Sequence, residues 1–110
     1  VSSTLNTTVP LTLTTPTSIL LTNTALNMGK PLILNADSDS SGGGRIAISN
    51  GTTISMGASN LVMGGGSCTS SGCNAPAVGT GVGTATGILA DQATISGSGG
   101  RLWMWGQGGL

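Results

Sequence analysis

Charge is what this sequence has least of. Charged residues make up 5% of its 110 positions, where an ordinary soluble domain carries about 25%. Three Lys/Arg balance three Asp/Glu. No basic face exists to meet a phosphate backbone, which excludes nucleic acid as a partner. Histidine, phenylalanine and tyrosine are absent altogether. Without histidine, neither a Ser–His nor a Cys–His nucleophilic pair can form, and two cysteines are too few for a zinc or haem site. The long Ala/Leu/Glu/Lys stretches of a helical bundle are missing. No apolar run reaches the roughly 18 residues of a membrane helix, so membrane insertion is not expected. The opening Val1-Ser2-Ser3-Thr4 has no basic region followed by an apolar core, and reads as a mature product or as part of something longer.

What remains is small and polar. Gly (20), Ser (14), Thr (16) and Asn (7) together fill 57 of the 110 positions. Mean hydropathy is nevertheless +0.30. Disordered chains combine low hydropathy with charge, so this composition predicts an ordered, all-β chain with regularly placed aliphatics.

Repeats organise those aliphatics. Ala25-Leu26-Asn27-Met28 through Leu34-Asn35, Thr53-Ile54-Ser55-Met56 through Met63-Gly64, and Thr94-Ile95-Ser96 through Met104-Trp105 align with one another. Ile54 to Ile95 and Leu61 to Leu102 are both 41 residues. Leu5 to Leu26, Leu11 to Leu32 and Leu13 to Leu34 are all 21. Leu20, Ile48 and Leu89 each precede the first anchor by six positions. The spacing predicts a β-solenoid of about 21 residues per coil, three short strands to a coil, stacked at about 4.8 Å. Leu26, Ile54 and Ile95 should form one interior row, Leu32, Leu61 and Leu102 a second, and Leu34, Met63 and Met104 a third. The longer steps are insertions, one over Ala36–Gly44 and a longer one over Gly64–Thr86. A degenerate extra coil is the alternative for the second. Residues 1–110 then form a single solenoid segment. Without a capping element at Gly106-Gln107-Gly108-Gly109-Leu110, it is expected to continue into further coils or to stack on identical chains.

Several of these stretches resemble the coils of filamentous-haemagglutinin-like adhesins. They are Pro31-Leu32-Ile33-Leu34-Asn35-Ala36-Asp37-Ser38-Asp39 followed by Gly42-Gly43-Gly44; Asn60-Leu61-Val62-Met63-Gly64-Gly65-Gly66; and Ile95 to Gly100 continuing to Gly106-Gln107-Gly108-Gly109. The resemblance spans about residues 18 to 109. It implies a right-handed parallel β-helix, exported to the bacterial cell surface or secreted, non-enzymatic and used for adhesion or surface structure. Its partner would be a host or cell-surface glycan or protein. Trp103 and Trp105 depart from the pattern, which places small or aliphatic residues there, and the family's secretion domain is not recognisable.

Few side chains offer chemistry. Asp37, Asp39 and Asp91 are the only carboxylates. Asp37 and Asp39 sit two apart with no Arg, Tyr or Trp beside them, a poor glycosidase pair. Asp37-Ser38-Asp39-Ser40-Ser41-Gly42 matches the first half of a calcium loop, but its twelfth position is Ile48 and not Glu. A solvated turn is the plainer reading, and no cofactor is expected. Cys68 and Cys73 flank Thr-Ser-Ser-Gly, and either close a small loop in an oxidising compartment or remain free thiols. Gly42-Gly43-Gly44 and Gly64-Gly65-Gly66 lack the Gly-Lys-Ser/Thr of a phosphate loop, and read as close backbone approaches. Asn6-Thr7-Thr8 and Asn50-Gly51-Thr52 match the glycosylation acceptor, a frequent chance occurrence in a Thr-rich chain.

Two other functions compete with adhesion. One is a self-assembling filament subunit without an adhesive role. The other is ice binding, which Thr12, Thr14, Thr15 and Thr17 invite. Thr12 aligns, however, with Ile33, Val62 and Trp103, so the threonine row does not recur. Those aligned residues alternate with the inward rows and should point outward. Ile33, Val62, Trp103 and Trp105 thus predict an apolar column that is either an interaction strip or is covered by the 64–86 excursion.

Overall fold

The computed structural model describes residues 3–7, 9–40, 43–79 and 87–107, and every helix or strand among them is a strand. In chain order these are β1 (Ser3–Thr7), β2 (Leu11–Thr14), β3 (Ile19–Thr22), β4 (Thr24–Met28), β5 (Leu32–Asn35), β6 (Ile46–Ser49) and β7 (Thr53–Ser55). They continue as β8 (Leu61–Thr69), β9 (Gly72–Ala75), β10 (Ala77–Val78), β11 (Ile88–Asp91), β12 (Thr94–Ser96), β13 (Leu102–Met104) and β14 (Gly106–Gln107).

Three parallel sheets hold most of them. Sheet I is β1-β4-β7-β12, sheet II is β2-β5-β8-β13 and sheet III is β3-β6-β11. The chain visits the three in turn and then returns to the first. Strands of one sheet are therefore separated by everything between two visits. Leu5 pairs with Leu26, Leu26 with Ile54, and Ile54 with Ile95. In sheet II, Leu11 pairs with Leu32, Leu32 with Leu61, and Leu61 with Leu102. Leu34, Met63 and Met104 pair two positions further on. The three expected rows are thus in register, and their members in the middle strands are buried. Each such aliphatic contributes about 1.5–3 kcal/mol when fully removed from water.

In sheet III the aliphatics that stand six positions before the anchors, Leu20, Ile48 and Leu89, are not all in register. Leu20 and Leu89 both pair with Ala47, while Ile48 pairs with Leu21 and Ala90. A one-residue slip sends a side chain to the opposite face, and Leu20 is exposed. The cause lies at the corner leading back to sheet I. Asn23, Asn50 and Gln92 all take positive φ there (49°, 55° and 54°). Only the middle corner adds a residue, Gly51, at φ 86°, so a fixed count of six back from the anchor selects different faces. The same corner buries Thr52, whose hydroxyl donates to the Ser49 carbonyl at 2.8 Å and accepts from the Thr24 amide at 3.3 Å.

Both insertions leave from the end of sheet II. The first spans residues 36–45 and the second residues 65–87; positions 41–42 and 80–86 lie outside the described residues. Strands on either side of the second excursion pair directly, β7 with β12, β8 with β13 and β6 with β11, so no additional layer comes between them. Two glycines make the crowding possible. A Cβ at Gly44 would lie 2.8 Å from Asp37 Cα, and one at Gly65 would lie 2.6 Å from the Ala36 carbonyl oxygen. These are the close approaches expected of the two Gly-Gly-Gly runs.

Candidate functional site

The chemistry-bearing residues gather on the outer side of sheet II. Ile33 pairs with Val62, and Val62 with Trp103, in the register expected of the outward column, with Thr12 at its head. Ile33 and Val62 are buried, yet they stand apart from the interior core cluster. They face away from it and are covered from the other side.

A hairpin lies on that side. Beyond Gly64, β8 bends at Gly66 (φ 70°), and β9 runs back antiparallel to it. Cys68 and Cys73 face each other in this ladder and are disulfide-bonded, with Cα atoms 4.0 Å apart. Ser67 N–H donates to Asn74 Oδ1 at 2.8 Å, and Asn60 Nδ2 donates to the Ser70 carbonyl at 3.3 Å, so the tip lies back over the start of β8. Trp103 meets it from the neighbouring strand. A Cβ on Gly72 would be 2.8 Å from Trp103 Cε2. One on Gly64 would be 2.7 Å from Cys73 Sγ and 3.0 Å from Trp103 Cζ3. Gly64 and Gly72 lack side chains where the indole and the disulfide need the space.

This arrangement bears on both readings of the outward column, an interaction strip or a face covered by the 64–86 excursion. Of its four members, Ile33 (8% exposed) and Val62 (0%) are shut away and Trp103 is half-buried; only Trp105 is open, at 45%. The Cys68–Cys73 hairpin lies on this side, over the start of β8 and beside Trp103. Trp103 and Trp105 meet edge to face, 6.2 Å apart at 81°. That geometry suits an aromatic pair, and gives no coplanar platform on which a sugar ring could lie across both.

Asp37 and Asp39 occupy different surroundings. Asp37 is buried at φ 51°; its amide donates to Thr17, and its carbonyl accepts from Ser40 and Gly66 at 2.9 and 3.1 Å. Asp39 is exposed. The turn is real, but at Asp37 it is packed and not solvated. Among the described residues no three His, Cys, Asp or Glu side chains group as metal ligands. Among the described residues no helix is long and apolar enough to cross a membrane. Of the two glycosylation tripeptides, Asn50 is exposed with Thr52 buried behind it, and Asn6 is engaged by Asn27 Nδ2 at 2.8 Å.

Sequence reasoning missed two parts of this face. Asn35 is buried beneath the hairpin root, its Nδ2 donating to the Gly66 carbonyl at 2.9 Å while its Oδ1 has no partner. Gly72 was readable only in combination, as a glycine next to a cysteine that pairs across a tight turn. A separate cleft of about 180 Å³ lies between Met56, Ile95, Gly97 and Leu102. Its origin is a register position: Met28, Met56 and Gly97 each follow the paired residues Asn27, Ser55 and Ser96. Met28 and Met56 are buried there, and Gly97 has no side chain to put in the third place.

No protein-family model, no curated protein and no solved structure matches this chain.

Proposed function

We propose that the chain is a right-handed parallel β-helix serving as a structural and adhesive module of an exported bacterial cell-surface or fibre protein. The observation that carries this reading is the constancy of register. Sheets I and II keep their pairing through all four strands, although the intervening lengths run from 21 to 41 residues. A fold that absorbs insertions as excursions while its stacked strands stay aligned is suited to be a stiff scaffold with variable projections. The Cys68–Cys73 bond fits an oxidising compartment, as export would provide. Scarce charge and a chain rich in Gly, Ser, Thr and Asn fit a surface that presents shape and hydrogen bonds more than catalysis.

The ligand would be a host or cell-surface glycan or protein, met by the excursions and by exposed Trp105. The test is binding of the purified, oxidised chain to glycan arrays and cultured cells. Saturable binding that Trp105→Ser or a shortened 65–79 excursion weakens supports the reading. Absence of binding with intact strand structure overturns the adhesive part. A filament subunit without adhesive role is favoured by one observation. Leu102 and Met104 lie in inward rows yet are 51% and 52% exposed, with no strand beyond β13 among the described residues. Concentration-dependent fibres in electron micrographs, without cell binding, would select that reading.

A further inference from the structure

The hairpin is an unusual cover for an apolar column. Its ladder with β8 comprises Gly65 with Ala75, then a register shift, then Cys68 with Cys73 and Thr69 with Gly72. Beyond the shift only two residue pairs remain, and one of them is the disulfide pair itself. Non-covalent support for the tip is its own turn, with Thr69 Oγ1 donating to the Gly72 carbonyl at 3.5 Å and Ser71 N–H donating to Thr69 Oγ1 at 3.1 Å, together with Ser67 to Asn74, Asn60 to Ser70, and Trp103 against Gly72. Two-stranded ribbons of this length are marginal in water. On the side where the hairpin folds back over the start of β8 are Val62 and, on the adjacent strand, Ile33, both buried and both outside the interior core cluster. Cys68 and Cys73 are only half-buried, and Ser67, Thr69, Ser70, Ser71 and Asn74 around them are exposed. A reductant can therefore approach from the tip.

We infer that the Cys68–Cys73 hairpin is a redox-latched lid, and that opening it uncovers an apolar strip made of Ile33, Val62 and Trp103. The co-reactant is a dithiol. Its thiolate attacks one sulfur of the Cys68–Cys73 bond, that bond breaks, and a mixed disulfide forms as the other cysteine leaves as thiolate and takes a proton. The second thiol of the reductant then displaces the first cysteine and departs as a cyclic disulfide. Two electrons and two protons pass to the protein, which ends with two free thiols. Closing is the reverse reaction with a disulfide oxidant. The strands beneath do not depend on this bond. Sheets I, II and III pair through other residues, so the lid opens while the stack persists. This inference stands apart from the adhesive reading, because it concerns only what the hairpin covers.

Trp103 is a built-in reporter, since its indole touches Gly72 and the same point as Cys73 Sγ. The experiment uses the full chain with Trp105→Phe, leaving Trp103 as the single tryptophan. Reduction by dithiothreitol, followed by thiol titration, should yield two thiols per chain. The acrylamide quenching constant of Trp103 should rise at least twofold, binding of an apolar dye should increase severalfold, and the far-ultraviolet strand spectrum should be retained. Cys68→Ser with Cys73→Ser should reproduce the open state without reductant. Unchanged quenching with two titrated thiols would overturn the lid. Loss of the strand spectrum on reduction would overturn it equally, by making the bond a staple of the whole fold.

Discussion

β8 and β13 are neighbours in one sheet and carry the same pattern of inward residues, yet they live in different environments. Leu61 and Met63 are buried to completion, whereas Leu102 and Met104, paired with them residue for residue, are about half exposed. Direction along the strand is identical, and so is the parity of facing. The difference is that β8 has a parallel neighbour on both edges, β5 and β13, while β13 has one among the described residues. Burial here belongs to the layer and not to the residue. Two consecutive stacked layers are needed before an aliphatic is sealed.

The sharpest test of that comparison is a matched pair of truncations. Leu61→Ala should cost about 3 kcal/mol in chemical denaturation, the range for a large-to-small change at a sealed core site. Leu102→Ala, with half its surface already in water, should cost about 1 kcal/mol. Equal losses would mean that the outer strand is sealed in solution by something else. Next in size is Gly65→Ala. Its new Cβ would press on the Ala36 and Pro76 carbonyl groups, backbone atoms that cannot rotate away, and about 2–3 kcal/mol should be lost. Gly43→Ala, where nothing lies within 4 Å, should change little. The Cys68→Ser, Cys73→Ser pair should lower stability by about 2 kcal/mol, the loop-entropy value for so short a closure. Opposite in sign is Gly97→Ala. Gly97 does not have positive φ, and a Cβ there meets only ordinary contacts at 3.5 and 3.8 Å. Reduced unfolded-chain entropy should raise stability by about 0.5–1 kcal/mol, and Gly97→Met, which restores the residue type of Met28 and Met56, should raise it further. A falling midpoint for both would show that the cleft beside Met56 is needed open.

The rows of sheets I and II were legible because each is marked twice, by an aliphatic at the anchor and by a second one six or seven positions later. Sheet III has no such second mark. One added glycine at the Asn50 corner puts Ile48 out of register with Leu20 and Leu89. The outward column was also legible, since residues alternating with Leu32 and Leu34 must point away from them. What lies over an outward residue was not. That depends on where Ser70 and Gly72 land after two reversals of the chain, and no local pattern records it. Asp37 shows the same limit. The residues that follow it are polar, but its environment is set by Thr17 and Gly66, 20 and 29 residues away.

Chemical ageing gives the Asn50 corner a second significance. Asn-Gly is the dipeptide most prone to deamidate, because the glycine nitrogen can attack the asparagine side-chain carbonyl and close a succinimide ring. At this corner the Gly51 amide donates to the Gln92 carbonyl at 2.7 Å, and Asn50 is held with its own amide donating to Asp91 at 3.2 Å. The attacking nitrogen is occupied, and the backbone rotation that ring closure requires would break the contact between two strand layers. Folded protein should therefore keep Asn50 intact long after an unfolded chain of the same sequence has begun to acquire aspartate and isoaspartate there, and the age of a sample would be written at this residue only where the stack has come apart.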